Sequence, residues 1–280
     1  MVRRRQFVNG AVMAGAGVLT GVAVSQGVDR ILTRFEAPGS PLSWADTVRP
    51  EPARGAAHLW WSAEPAVGHR LAVTFDDGPT EQFTAQVLDL LARAEVPATF
   101  FVIGELVRRH VDLVHRAHDA GHELANHSQD HVSAAVSDRE SVRAGVLRGS
   151  DSIEKVTGTR PRWFRPPRGE VTMATLLAAR EAQVDLALWS VGRGDATDTD
   201  SAGVARHLIR TVHPGAVVDL HDGIGRSAWA GIPDHQLIRR RRAEIAALPQ
   251  VLDRWKDDGY TFCTLSELVA PLPGQVAGHA

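Results

Sequence analysis

Cysteine is nearly missing from this chain: Cys263 is the only one in 280 residues. No intramolecular disulfide can form, so the fold must stand on packing or on a metal, and a lone thiol inside "YTFCTL" reads as a buried strand residue. Lysine is almost as scarce. Lys155 and Lys256 are the only lysines among 31 basic residues, a skew that reads as genome composition and not as chemistry. A strong charge of either sign is lacking too. The formal net charge of −2 offers no field for a polyanion, and no nucleic-acid partner is expected. Nor is there a long apolar run. The best candidate, residues 8–24, falls short of the roughly 20 apolar residues that a membrane span needs.

That weak apolar stretch belongs to a leader. "MVRRRQFVNGAVMAGAGVLTGVAVSQG" joins a basic start to a Gly-rich apolar region and small residues, which is targeting text and not fold. Arg4 and Arg5, followed by Gln6 and Phe7, resemble a twin-arginine export signal. Residues 1–25 are therefore expected to be an export signal, cleaved after "AVS" at 23–25, or an anchor. An extracytoplasmic location follows, secreted or in the cell envelope, with membrane contact only through this segment. Residues 26–66 lack periodicity and read as a linker or extended arm, apart from "HLWW" at 58–61, which is placed to pack on the domain. Residues 67–270 make the domain and 271–280 a tail.

From Leu71 onward, short apolar runs alternate with helical patterns. "RLAVTFDD", "ATFFVIG", "HELANHS", "RWFRPP", "DLALWSV", "AVVDLHD" and "YTFCTL" read as strands; helices are predicted near 81–94, 105–120, 137–157, 172–182, 201–211 and 239–258. The alternation implies an α/β fold, a distorted (β/α) barrel of about seven parallel strands. In such folds chemistry gathers at the carboxyl ends of the strands. The unusual polar residues sit there: Asp76, Asp77, His127, His131, Arg165, Asp195 and His221.

"VTFDDGP" ends a strand with two adjacent carboxylates, and "HSQDH" sets His127 and His131 four residues apart. On an extended strand that spacing is about 13 Å, whereas one helical turn brings such side chains to about 6 Å, so the chain is expected to turn helical near His127. Asp, His and His suit one divalent metal with a position left open for water, the pattern of a catalytic site. Asp76 and Asp77 point to opposite sides of a strand, so one can ligate while the other serves as a base. Structural alternatives stand beside these readings: a turn that favours Asp and Gly for "DDGP", a surface His pair, Arg165 bracing a loop and Asp195 capping a helix.

In the order of these motifs the chain resembles the polysaccharide deacetylases of the NodB-homology type, carbohydrate esterase family 4, over residues 70–269. The resemblance implies Asp76 as catalytic base and Asp77, His127 and His131 as metal ligands. From "FRPPRG" it implies Arg165 holding the base, from "WSVGRGDA" Asp195 tuning a catalytic histidine, and from "DLHD" His221 as general acid. The implied cofactor is one divalent ion, zinc first, with cobalt, nickel or manganese accommodated. The implied substrate is a polysaccharide such as peptidoglycan or chitin, from which N-acetyl or other acyl groups are hydrolysed. An O-acetyl esterase, a small-molecule amidase and a glycan-binding protein with a degenerate site are the alternatives.

Four positions depart from the family text. Arg168 replaces a Tyr, Gly192 an Asp, Ala196 a Trp and Asp219 a Leu. In the family the last two help to line an acetyl pocket, so a larger, more polar pocket is expected. A buried carboxylate needs a partner. An Arg168–Asp219 ion pair over the site is the first expectation, and direct orientation of His221 by Asp219 the second. Trp229, in a loop after His221, is placed to stack on sugar, and Trp189 is read as a packing residue. "IRRRR" at 238–242 reads as the solvated start of the last helix, with contact to an anionic wall polymer as the alternative.

Overall fold

The computed structural model describes residues 58–63, 67–194, 200–226 and 233–270. The export segment, the arm up to residue 57 and the tail lie outside the described residues. Eight strands form one sheet: β1 (Leu59–Trp60), β2 (Arg70–Asp76), β3 (Thr99–Val102), β4 (Glu123–Asn126), β5 (Trp163–Phe164), β6 (Asp185–Ala187), β7 (Val217–His221) and β8 (Thr261–Phe262). Their order is β1-β6-β5-β4-β3-β2-β7, with β8 joined to the start of β2, and every strand pairing is parallel. The sheet curls into a distorted barrel. Bridges Ser62–Ala216 and Val191–Val218 tie segments just past β1 and β6 to β7, at the opposite end of that order.

The seven expected strands are β2 to β8. β1 is the eighth, drawn from "HLWW", so the domain reaches upstream to His58 and the expected arm ends before it. The ring of His58 is held to Asp185 at 3.0 Å.

The helices are α1 (Thr84–Ala94), α2 (Gly104–Val107), α3 (Val111–Asp119), α4 (Arg139–Thr157), α5 (Met173–Ala182), α6 (Ser201–Thr211), α7 (Asp234–Asp257) and α8 (Leu265–Val269). The single helix expected over 105–120 is two. His110, at φ −127° and ψ 49°, leaves the helical region between them. The last helix starts at Asp234, ahead of the expected residue 239.

Period-two alternation sorts each strand into two environments. Leu71, Val73 and Phe75 of β2 face outward into a cluster with Val87, Leu91, Val251 and Trp255 of the flanking helices. Each such buried side chain contributes about 1.5–3 kcal/mol. The residues between them face inward. Ala72, Phe101, Ala125, Trp163, Ala187 and Val217 fill the barrel, closed below by Leu265 and Leu268 of α8 and by Cys263. Cys263 is the buried thiol expected, and burial pushes its pKa up to about 11. Two residues past Ala72, Ala125, Trp163 and Val217 the same inward face becomes polar, at Thr74, His127, Arg165 and Asp219.

Candidate active site

Above the apolar plug, the inward positions are Thr74, Asp76, His127, Arg165, Asp219 and His221. Strand register sets them level: Thr74 pairs with Asp219, and Asp76 with His221, across β2 and β7. Arg165 is fully buried at 0% exposure and organises the lower tier. Its Nη1 donates to Thr74 Oγ1 at 2.8 Å, Asp76 Oδ1 at 2.7 Å and Asp219 Oδ1 at 3.2 Å. Nε and Nη2 donate to the carbonyls of Ala187 and Leu188. The guanidinium also lies 3.9 Å from the Phe101 ring centroid. One buried cation thus serves two carboxylates. Burial and the neighbouring Asp76 push Asp219 up to about 7, against the opposing pull of His221 and Arg165.

The expected ion pair of Arg168 with Asp219 does not form. Arg168 takes a left-handed conformation, φ 60°, and its Nη1 sits 3.5 Å from Glu170 Oε1. Glu170 in turn accepts from Ser133 Oγ at 2.7 Å and from the Ala135 amide at 3.0 Å. Asp219 finds its partner in Arg165 instead, because both lie on the inward face.

At the mouth, Asp77, His127 and His131 each present a ligand atom within 4.8 Å of the others, and all three residues are buried. His131 Nε2 is 2.9 Å and His127 Nε2 3.6 Å from Asp77 Oδ1. Asp77 turns back toward the interior because its φ is 75°. The two imidazoles meet without the helical turn expected at His127. Residues 127–131 are a loop in which Ser128 (φ 66°) and His131 (φ 53°) are left-handed, with Ser128 Oγ accepting from the His131 amide at 3.0 Å. Both kinds of local geometry shorten four residues enough for two rings to share one point.

The donor set fits a divalent cation. His127 Nδ1 donates to the Arg165 carbonyl at 2.8 Å, which leaves the Nε2 lone pair facing Asp77 and His131. The Arg226 amide lies 3.2 Å from His131 Nδ1, and His131 Nε2 faces Asp77. Burial disfavours the Asp77 anion, yet His131 and His127 beside it outweigh that and hold its carboxyl well below the usual range. Gly225 roofs the cluster at φ 56°. A Cβ there would lie 2.7 Å from Asp77 Oδ1 and from His131 Cε1.

His221 completes the mouth, and its ring partner is a residue that the motifs did not single out. His221 Nδ1 lies 3.3 Å from Glu244 Oε2, and the same oxygen accepts from the His221 amide at 3.0 Å. Glu244 Oε1 faces Arg241 Nη1 and Arg193 Nε, each at 3.1 Å. Arg241 also donates to the Gly223 carbonyl at 2.6 Å and to Asp77 Oδ2 at 3.3 Å. Arg241, expected as part of a solvated helix start, is therefore 5% exposed and built into the site. The signal was in the spacing: Leu237, Arg241, Glu244, Leu248, Val251 and Trp255 form one buried stripe of α7. Burial and Arg241 oppose charge on His221, but Asp219 and Glu244 raise its pKa to about 9. Asp195 and Trp229, both expected at the site, lie outside the described residues. Trp189 is partly buried and packs against the barrel interior.

Parallel strands that deliver carboxylates, imidazoles and an arginine to one mouth, with a donor set suited to a divalent cation, define a barrel hydrolase. Residues 64–187 match the polysaccharide deacetylase family model. A peptidoglycan-N-acetylglucosamine deacetylase of Bacillus cereus is 37% identical over 71% of this chain and 87% of its own length. A chitooligosaccharide deacetylase of Rhizobium leguminosarum bv. phaseoli is 33% identical over 70% of this chain and 85% of its own. The crystal structure of the Bc1960 peptidoglycan N-acetylglucosamine deacetylase, bound to a naphthalenyl N-hydroxybenzamide, superposes with a TM-score of 0.66. It shares 26% identity and covers 76% of this chain and 93% of that one. The chain belongs to the polysaccharide deacetylase family, hydrolases of carbon–nitrogen bonds other than peptide bonds.

Proposed function

We propose that this protein is an exported, metal-dependent deacetylase that removes N-acetyl groups from an amino-sugar polymer, with peptidoglycan as the first substrate class and chitin-like glycans as the second. The similarity to relatives named for those two substrates supports the reading. The observation that carries it is the convergence of Asp77, His127 and His131 within 4.8 Å at a barrel mouth that also holds Asp76 and His221. Asp77, His127 and His131 would hold the ion. When bound, the ion supplies Lewis-acid polarisation of the acyl carbonyl and acidifies water.

The rest is the work of the chain's own side chains. Asp76 is the general base: Arg165 anchors its Oδ1 at 2.7 Å, and its Oδ2, 3.7 Å from His127 Nε2, faces the ligand cluster and is free to take a proton from the attacking water. His221 is the general acid. Its raised pKa keeps the ring protonated at neutral pH, ready to donate to the departing sugar nitrogen.

Purified protein incubated with N-acetylated peptidoglycan, acetylated chito-oligosaccharides and acetylxylan tests this by carboxylate release, with and without chelator. Release from the amino-sugar polymers that stops on chelation is the expected result. Release from acetylxylan alone points to an O-acetyl esterase. Glycan retained with a bound ion and no hydrolysis points to a binding protein, and either outcome rejects the proposal.

A further inference from the structure

Glu244 is a buried carboxylate with every oxygen engaged, and it sits on the ring of the residue read above as the general acid. The helix α7 brings it there. Arg241 and Glu244 occupy successive positions of the stripe that α7 turns toward the barrel, where apolar side chains stand at the neighbouring positions. Two charges on that stripe are tolerated because each satisfies the other, at 3.1 Å, and because both reach beyond the helix. Glu244 reaches β7 and Arg241 reaches the loop that carries Asp77.

The contact has a defined chemical result. Oε2 accepts from the His221 amide, which fixes the oxygen relative to the backbone of the histidine it serves. Nδ1 of the same residue faces that fixed oxygen at 3.3 Å. A carboxylate at Nδ1 selects the ring state protonated on that nitrogen and leaves Nε2 as the atom that exchanges a proton with substrate. Glu244 Oε1 meanwhile accepts from Arg241 and lies 3.1 Å from Arg193 Nε, so cations hold the oxygen that faces away from the ring. The acid that the sequence motifs offered for this task, Asp195, is on a different segment of the chain.

We propose that Glu244 is the positioning residue of His221, and that Arg241, bonded to both Glu244 and Asp77, makes α7 the common support of the histidine ring and the metal-ligand loop. This rests on the reading of His221 as general acid. Glu244 touches no reacting atom; it acts through the ring. Among the described residues, the charged groups acting on or with His221 are Glu244 and Arg241 from α7, Asp219 from its own strand and Asp77 just past β2, with Arg193 behind Glu244. Burial and the two arginines act on Glu244 in opposite senses, and the arginines together with His221 bring its pKa down to about 2, so it stays anionic over the working range.

Glu244→Gln keeps the side-chain shape and removes the charge. It is expected to lower kcat on an acetylated chito-oligosaccharide about 100-fold, with KM and bound metal unchanged, and Glu244→Asp is expected to recover part of the loss. The ring is read independently by 15N NMR of His221 in wild-type protein: a protonated Nδ1 with a downfield proton is expected, and its loss in Glu244→Gln. Wild-type kcat in E244Q, or a His221 spectrum that E244Q leaves unchanged while Asp195→Asn alters it, overturns the proposal. If E244Q fails to fold, a wild-type His221 lacking a protonated Nδ1 overturns it just as well. An inactive wild type with the expected ring spectrum rejects the reading of function and leaves the contact standing.

Discussion

Replacing Asp219 by Asn removes one charge from the tier beneath the mouth while leaving an oxygen for Arg165. The magnitude follows from the shift. Asp219 sits at about 7 in the folded protein against an ordinary value of 3.8. A gap of about three units at 1.36 kcal/mol each is about 4 kcal/mol. The side chain is 8% exposed, so solvent screens little of it. The direction is set by which state holds the proton. Between about pH 4 and pH 7 the folded chain keeps a proton on Asp219 that the unfolded chain has released, so wild-type stability falls as pH rises across that window and levels off above it. Asn has no proton to lose. Part of the upward shift of His221 comes from Asp219, and the variant gives that part back. The net expectation is that Asp219→Asn gains about 2–4 kcal/mol on the wild type between pH 4 and pH 8, or roughly 4–16 °C in Tm for a domain of this size. Denaturant and thermal melts of chelator-treated protein at both pH values measure it. Melting curves that stay parallel across pH, or a wild type that gains on the variant as pH rises, would refute the claim that Asp76 and Asp219 compete for one arginine.

Asp76→Asn should lower kcat by about 1,000-fold with metal content unchanged, measured by acetate release and elemental analysis; full activity would remove Asp76 from the chemistry. Gly149→Ala puts a Cβ 2.4 Å from Asn126 Oδ1 and 2.9 Å from the Ser128 backbone. It should cost about 1–3 kcal/mol in stability and weaken metal affinity through the loop that carries His127 and His131, as titration calorimetry would report. Changing both Arg4 and Arg5 to Lys should hold the protein in the cytoplasmic fraction, and unchanged export would rule out the twin-arginine route.

The barrel was legible because its strands are short apolar runs that alternate between two faces, and a period of two needs few residues to show. The place of Asp76, Arg165 and His221 at the carboxyl ends of their strands was legible too, and the structure brings them to one mouth. Two features escaped such a reading. The meeting of His127 with His131 depends on left-handed φ values at Ser128 and His131, which the residue types do not announce, so a helical turn was the economical guess. Arg241 and Glu244 escaped because an Arg-rich helix start reads as a solvated face. What identifies them is their spacing on the stripe shared with Leu237 and Leu248, a signal outweighed in the sequence by the run of arginines around Arg241. The partner of Asp219 was misassigned because Arg168 and Asp219 both depart from the family text and read as compensating charges; the left-handed backbone of Arg168 leaves it beside Glu170, while Arg165 shares the interior.

Elemental analysis and calorimetric titration of natively exported protein, wild type beside Asp77→Ala, bear most directly on the site. One divalent ion per wild-type chain is predicted, with at least a 100-fold loss of affinity in the variant. A wild type that takes up no ion, or an Asp77→Ala protein that binds as tightly as its parent, contradicts the assignment of this mouth as a metal centre.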